Sequence, residues 1–170
     1  GGFADGQLGQ REQFTVDGRQ GFILEPPADN RIEGPMPWVW YAPTLGNRYP
    51  CADEKWMFDR LHAAGIAIAG IDVGESYGSP AGREVYQHFF ETLANDRGFS
   101  AQPVLLGRSR GGLMLLSWAV EHVECVGGIA GIYPVCNVAS YPGLEKAAPA
   151  YGLTTEQLEL SLIHISEPTR

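Results

Sequence analysis

The sequence predicts an α/β fold, a mostly parallel sheet with helices on both faces. Three observations carry that prediction. Four short, continuously apolar runs (38–41, 66–71, 103–106 and 126–132) alternate with segments that repeat apolar residues at helical spacing. Strands covered on both faces read as unbroken apolar runs, and strand–helix alternation gives parallel pairing. The 22 glycines and 12 prolines suit a chain with many strand-to-helix turns. The 170 residues, 44% of them hydrophobic, are one domain's length with enough apolar material for a sizeable core.

Each element has a local reason. Residues 1–10 are Gly-rich and polar and read as a frayed lead-in. Glu12–Val16 and Gln20–Glu25 flank Asp17-Gly18, a strong hairpin signal. Pro26–Pro37 is a polar linker, followed by the apolar strand Trp38-Val39-Trp40-Tyr41, whose aromatic cluster reads as core. Asp53–Ala64 reads as a helix capped by Asp53, with Trp56, Met57, Leu61 and Ala64 on one stripe and Gly65 as its stop. Ile66–Ile71 is the second buried strand. After a Gly-rich loop, in which Gly78, Pro80 and Gly82 delay the helix, Arg83–Asp96 places Val85, Phe89, Phe90 and Leu93 on one face, and Gly98 closes it. Pro103–Leu106 is the third buried strand, Gly111–His122 the third helix and Val126–Ile132 a fourth buried strand. Tyr141–Glu159 is looser, with a further helix starting at Thr154 or Thr155.

Composition excludes several functions. The net charge is −8 with 12 basic residues and no basic cluster, so nucleic-acid backbone binding is disfavoured. No apolar run approaches the roughly 20 residues of a membrane span. No secretory signal is visible, and because the chain begins with Gly1 an incomplete N-terminus is expected. Cys51, Cys125 and Cys136 form no CxxC pair and fit no zinc spacing, so they read as buried or idle thiols and no metal is expected.

The pattern G-x-S-x-G occurs twice, as Gly74-Glu75-Ser76-Tyr77-Gly78 and as Gly107-Arg108-Ser109-Arg110-Gly111. The chemistry needs the serine on a sharp turn between a strand and a helix. Its hydroxyl then stands at the sheet's carboxyl edge, and the helix N-terminus points N–H groups at a developing oxyanion. Only the second copy has that context, with Val104-Leu105-Leu106 before it and Gly112–Trp118 directly after it. Ser109 is therefore the candidate nucleophile, set against a tight turn whose serine merely caps the helix. Two backbone donors are expected for an oxyanion hole. One is the N–H of Arg110, and the other comes from Pro43-Thr44-Leu45-Gly46, with Leu45 preferred to Thr44. Glu75, Ser76 and Tyr77 follow a neighbouring strand's carboxyl end, where α/β folds place ligands, and are candidates for substrate binding or a plain loop. Arg108 and Arg110 flank the serine and either attract a substrate carboxylate or pair with the acidic surface.

These residues resemble the α/β-hydrolase superfamily across roughly residues 12–159, through the hairpin, the strand 38–42 with its loop, and the turn 107–111 in that order. More narrowly, Gly-Ile-Asp-Val-Gly-Glu-Ser-Tyr-Gly-Ser (70–79), Ser-Arg-Gly-Gly-Leu-Met-Leu (109–115) and Ile-Ala-Gly-Ile-Tyr-Pro-Val-Cys (129–136) look like a bacterial subgroup described as α/β-hydrolase or prolyl-oligopeptidase-like. The resemblance implies a serine hydrolase acting on an ester or amide, with a small-molecule or peptide substrate and no cofactor. It also implies a triad in the order Ser, acid, His.

Here the chain departs from the family. No Asp follows Asp96, and Glu121, Glu124, Glu145, Glu156 and Glu159 end no recognisable later strand. His122 lies 13 residues along the helix that Ser109 opens, about 20 Å away at 1.5 Å per residue. His62 and His88 sit on other helices and read as surface or partly packed imidazoles. Residues 160–170, Leu-Ser-Leu-Ile-His-Ile-Ser-Glu-Pro-Thr-Arg, resemble a translated transposon-based sequencing adapter at all eleven positions. The expectation is thus a partial α/β-hydrolase domain over 1–159, an incomplete sheet of hairpin plus four central strands, an adapter-derived tail that gives His164 no role, and an inactive chain lacking its acid and base. The competing readings are a non-catalytic binding protein of the same fold and a nucleotide-binding α/β enzyme. Against the latter, neither GxGxxG nor GxxxxGK[ST] lies on a strand-to-helix turn. Substrate, compartment and oligomeric state stay open at this stage.

Overall fold

The computed structural model describes residues 11–46 and 48–166. The lead-in expected at 1–10 lies outside the described residues. Among the described residues six strands, β1 (Arg11–Val16), β2 (Arg19–Leu24), β3 (Trp38–Ala42), β4 (Ala67–Ile71), β5 (Val104–Arg108) and β6 (Gly128–Ile132), form one sheet in the order β1-β2-β4-β3-β5-β6. The hairpin signal at Asp17-Gly18 produces β1 (Arg11–Val16) and β2 (Arg19–Leu24), paired antiparallel. Both turn residues have positive φ, 53° at Asp17 and 72° at Gly18, as a turn matched to strand twist requires. β2 then pairs antiparallel with β4 (Ala67–Ile71). β3 (Trp38–Ala42), β5 (Val104–Arg108) and β6 (Gly128–Ile132) complete a parallel set with β4.

Helices cover both faces, and the reason is visible in strand alternation. Trp40 points to one face and Tyr41 to the other, and both are fully buried. On the Trp40 face pack α2 (Pro80–Glu91) and α3 (Gly111–Ala119), through Tyr86, Phe89, Phe90, Met114, Leu115 and Trp118. Trp40 is the hub of this layer, with ring centroids 4.7 Å from Trp118, 5.0 Å from Tyr86 and 5.3 Å from Phe89. On the Tyr41 face, α1 (Lys55–Ala63) seats Phe58 against Phe22, Leu24, Val39, Tyr41, Ile68 and Leu106. A third apolar cluster joins Leu113, Val138, Ala147, Ala148 and Leu158, which ties α4 (Leu144–Tyr151) and α5 (Thr155–Ser166) to the rest.

The structure corrects several local expectations. Asp53 does not cap the first helix. A short 3-10 turn, Ala52–Glu54, leads into it, and the Glu54 carboxylate accepts from the Cys51 N–H at 2.8 Å instead. Pro80 does not delay α2 but begins it, since the first helical position needs no N–H. α2 continues as a π turn over Thr92–Asp96, and α3 ends at Ala119 rather than at 122. β6 is not buried. It is an edge strand of the described sheet, with Ile129 59% exposed. The stretch expected to be loose contains α4. His62 is buried rather than superficial, with Nε2 3.1 Å from the Leu24 carbonyl oxygen. No described helix is long and apolar enough to cross a membrane.

His88 on α2 pairs with Asp17 at the hairpin turn. The hydrogen bond that the imidazole donates to Asp17 raises its pKa above the ordinary 6.5, with the Asp17 charge adding to it. A raised folded-state pKa favours the fold when the group is protonated. The pair's contribution is therefore full below pH 6.5 and fades as pH rises through the raised value. Both partners are exposed, so the contribution is small. The imidazole midpoint read by NMR is expected to fall toward the ordinary value in Asp17→Asn. An unchanged midpoint would refute the pairing.

Candidate active site

Loops after β3, β4 and β5 meet at the carboxyl edge of the sheet. Ser109 stands between β5 and α3 with φ 50°, a left-handed backbone that costs a non-glycine residue roughly 1–2 kcal/mol. Neighbouring backbone holds it there. Its N–H donates to the Ile132 carbonyl at 3.0 Å, and its carbonyl accepts from Gly112 at 3.0 Å and Val135 at 2.8 Å. The Ser109 side chain makes no hydrogen bond among the described residues, and it is partly exposed. The next residue, Arg110, caps α3. Its N–H belongs to the first turn, where a helix supplies no internal acceptor and where the helix dipole is positive.

The loop after β3 lies directly against this turn. A Cβ on Gly111 would stand 2.1 Å from the Ala42 oxygen and 2.6 Å from the Pro43 nitrogen, so only glycine lets α3 start there. Leu45 (φ 40°) and Gly46 (φ 61°) are consecutive left-handed residues. Leu45 and Thr44 are both buried. The Thr44 hydroxyl has no hydrogen-bond partner among the described residues and lies against Gly70, whose Cβ would meet it at 3.1 Å. Its side chain is thus turned into the sheet. At the far end of the loop the Gly46 N–H donates to Asp72 Oδ2 at 2.6 Å, and the Gly74 N–H donates to Asp72 Oδ1 at 2.8 Å.

The second G-x-S-x-G is a loop, as its sequence context indicates. Glu75 forms an ion pair with Arg110, and Arg110 also lies 5.7 Å over the Tyr141 ring. Ser76 is buried, and its hydroxyl accepts from the Gly78 N–H at 3.4 Å. Tyr77 packs into the cluster of α4 and α5, and its carbonyl accepts from the Tyr151 hydroxyl at 2.9 Å. Burial raises the Tyr77 phenol pKa, with the Glu75 charge adding to it. Glu75 and Ser76 line a cavity of about 360 Å³, and Tyr77 lines another of about 330 Å³ with Leu113, Val138 and Tyr151. Ser109 lines neither. The structure thus gathers Glu75, Arg110 and Ser109 at one edge, with the Tyr77 phenol near enough to feel the Glu75 and Arg110 charges, while Ser76 is turned inward and buried.

Arg108, the other arginine beside the serine, is committed elsewhere. It points to the Tyr41 face and donates to Glu54 Oε1 at 2.9 Å and to the Cys51 sulfur at 3.1 Å. Its guanidinium lies 4.7 Å over the Tyr49 ring and 5.7 Å over Tyr133. The Tyr41 hydroxyl donates to the same Glu54 oxygen. Burial pulls the Arg108 pKa down, but its bonds to Cys51, Glu54 and Tyr41 outweigh it and leave the group firmly charged. Burial, aided by Glu54, likewise holds the Tyr41 phenol neutral. Cys51 is therefore part of a polar network. The sequence hid this network because its members are 54 and 57 positions apart from Arg108.

No described imidazole stands beside Ser109. His62 bonds Leu24, His88 pairs with Asp17, and His122 stacks on Trp118 with ring centroids 4.9 Å apart. The side chain of His164 lies outside the described residues.

With this geometry in view, solved structures show what the chain is similar to. A protein from Lactobacillus plantarum assigned as a carboxylesterase matches with a TM-score of 0.56 and 17% identity, over 88% of this chain and 70% of that one. A puromycin-hydrolysing peptidase from Mycobacterium tuberculosis matches with a TM-score of 0.57 and 15% identity, over 79% of this chain and 24% of that one. A structure from work on two prolyl endopeptidases matches with a TM-score of 0.63 and 16% identity, over 94% of this chain and 27% of that one. These neighbours are α/β-hydrolase family members, and this chain has the α/β-hydrolase fold. It spans most of the first neighbour's length but only about a quarter of the other two. No family model and no curated protein matches the sequence.

Removing one member of a buried ion pair leaves the other charge uncompensated. Glu54→Ala is expected to cost about 3–5 kcal/mol in urea unfolding. Glu54→Gln, which keeps one oxygen acceptor and the side chain's volume, is expected to cost less. A Glu54→Gln variant as stable as the wild type would show that charge pairing with Arg108 is not what holds this corner.

Proposed function

We propose that the chain is a fragment of a serine hydrolase that cleaves a carboxylic ester or amide through an acyl-enzyme on Ser109. The observation that carries the reading is Ser109 itself, a serine with φ 50° on the turn between β5 and α3. A residue that only capped a helix would not need the left-handed region. The neighbours' esterase and peptidase activities support an ester or amide as the substrate class.

In the proposed reaction the Ser109 Oγ attacks the carbonyl carbon while a base takes its proton. The oxyanion accepts from the Arg110 N–H and from the N–H of Leu45, with Thr44 as the alternative. Collapse breaks the bond to the alcohol or amine, which leaves with a proton from the same base. Water then attacks the acyl-enzyme and releases the acid. Glu75 holds Arg110 beside the serine, while Ser76 and Tyr77 shape the loop that borders the substrate. No metal or organic cofactor enters this scheme. The base and its acid partner lie, in this reading, beyond residue 159. Residues 160–170 are read as adapter-derived and outside the domain.

Two experiments test this. In the complete protein, a fluorophosphonate probe is expected to label Ser109, and Ser109→Ala is expected to abolish labelling and lower kcat at least about 10³-fold. Labelling that survives the substitution would sink the assignment. Separately, re-sequencing the source DNA past codon 159 with a different library chemistry is expected to show further strands carrying an acid and then a His. A frame that truly ends in Leu160–Arg170 would instead favour a non-catalytic binding protein of this fold.

A further inference from the structure

We infer that Asp72 is a positioning residue that sets the oxyanion loop after β3; this rests on the reading of Ser109 as nucleophile with Leu45 or Thr44 as second donor. Asp72 directly follows β4, and its own N–H donates to the Gln20 carbonyl of β2 at 2.9 Å, so its carboxylate rises from the sheet itself. Each carboxylate oxygen accepts one backbone N–H, from Gly46 on the loop after β3 and from Gly74 on the loop after β4. Among the described residues the loop's other backbone bonds, Arg48 N–H to the Leu45 carbonyl and Tyr49 N–H to the Thr44 carbonyl, stay within the segment that follows β3. They close the turn but do not fasten it to the sheet. The Asp72–Gly46 bond does.

That fastening matters because Leu45 and Gly46 both sit in the left-handed region. Leu45 leaves it readily if released, since a side chain there is strained. Rotation about Leu45 would swing its N–H away from the space in front of Ser109. An oxyanion donor acts only if it is already aimed at the point where charge develops. Asp72 touches neither Ser109 nor, in this arrangement, the substrate. It acts through the loop.

The test uses the complete protein, with kcat counted per Ser109 titrated by a fluorophosphonate. Asp72→Ala is expected to lower kcat about 10- to 100-fold, less than or equal to the loss of one oxyanion donor. KM for an ester is expected to stay within threefold, because the ground-state carbonyl makes little use of the hole. Affinity for a trifluoromethyl ketone, which becomes an oxyanion on Ser109, is expected to fall in step with kcat. Asp72→Asn keeps one oxygen acceptor and is expected to recover part of the loss; it also carries the test if the alanine variant does not fold. An unchanged kcat per titrated site, or equal losses in substrate and ketone affinity without loss of kcat, would overturn the inference while leaving Ser109 in place. Failure of the wild type to label at Ser109 would overturn the underlying reading, and this role for Asp72 with it.

Discussion

The carboxyl edge of the sheet depends on one contact, the backbone of Gly111 against the backbone of Ala42 and Pro43. The separation leaves no room for a Cβ, so two main chains touch where side chains would normally keep them apart. This contact lets α3 begin immediately beyond β5, which in turn makes the turn at Ser109 sharp. It also brings the helix N-terminus beside the loop at 43–46. β3 is locked on its other side as well, since a Cβ on Gly70 would stand 2.6 Å from the Tyr41 oxygen. Two glycines on the neighbouring elements thus fix where β3 ends and where its loop departs.

The strands were legible because apolar runs of this length, flanked by helical stripes, leave few alternatives. What they could not reveal was the exposure of β6. An apolar run reads the same whether the next strand covers it or not, because coverage is decided by distant residues. α4 was hidden for a local reason. It is only eight residues long and contains Pro149 in its second half, a residue that reads as a breaker. At the site, the serine, the Arg110 position and the loop at 43–46 follow from a local motif. Glu54 and Asp72 do not, since each is a lone acid whose partners come from other strands and loops.

The two arginines beside the serine show how backbone direction sorts identical side chains. Arg108 is the last residue of β5 and obeys the strand's alternation, so it enters the Tyr41 face and meets Glu54. Arg110 lies past the left-handed turn and stays at the surface with Glu75. The first pair is largely dehydrated. Its value lies in what breaking it would cost, since a buried charge without a partner is far less stable than the pair. The second pair is open to water and worth little as stability. Its effect is positional, joining the loop after β4 to the residue that follows the serine.

Strain in this chain is not scattered. Five described non-glycine residues have clearly positive φ: Asp17, Leu45, Tyr77, Ser109 and Tyr133. Asp17 serves the hairpin turn. The other four each follow a different parallel strand, β3, β4, β5 and β6 in turn, and all lie past its carboxyl end. Each costs on the order of 1–3 kcal/mol and would cost less as glycine. A chain with 22 glycines has no shortage of the cheaper residue, yet it keeps side chains at these four points. Such positions persist only where the surroundings over-determine them. The glycine contacts beneath β3, the bond Ser109 donates to Ile132 and the one it accepts from Val135, and the Asp72 bridge are those surroundings. The same edge that stores the strain therefore also holds the groups that would have to be aimed for catalysis, which is the arrangement a preorganised site requires.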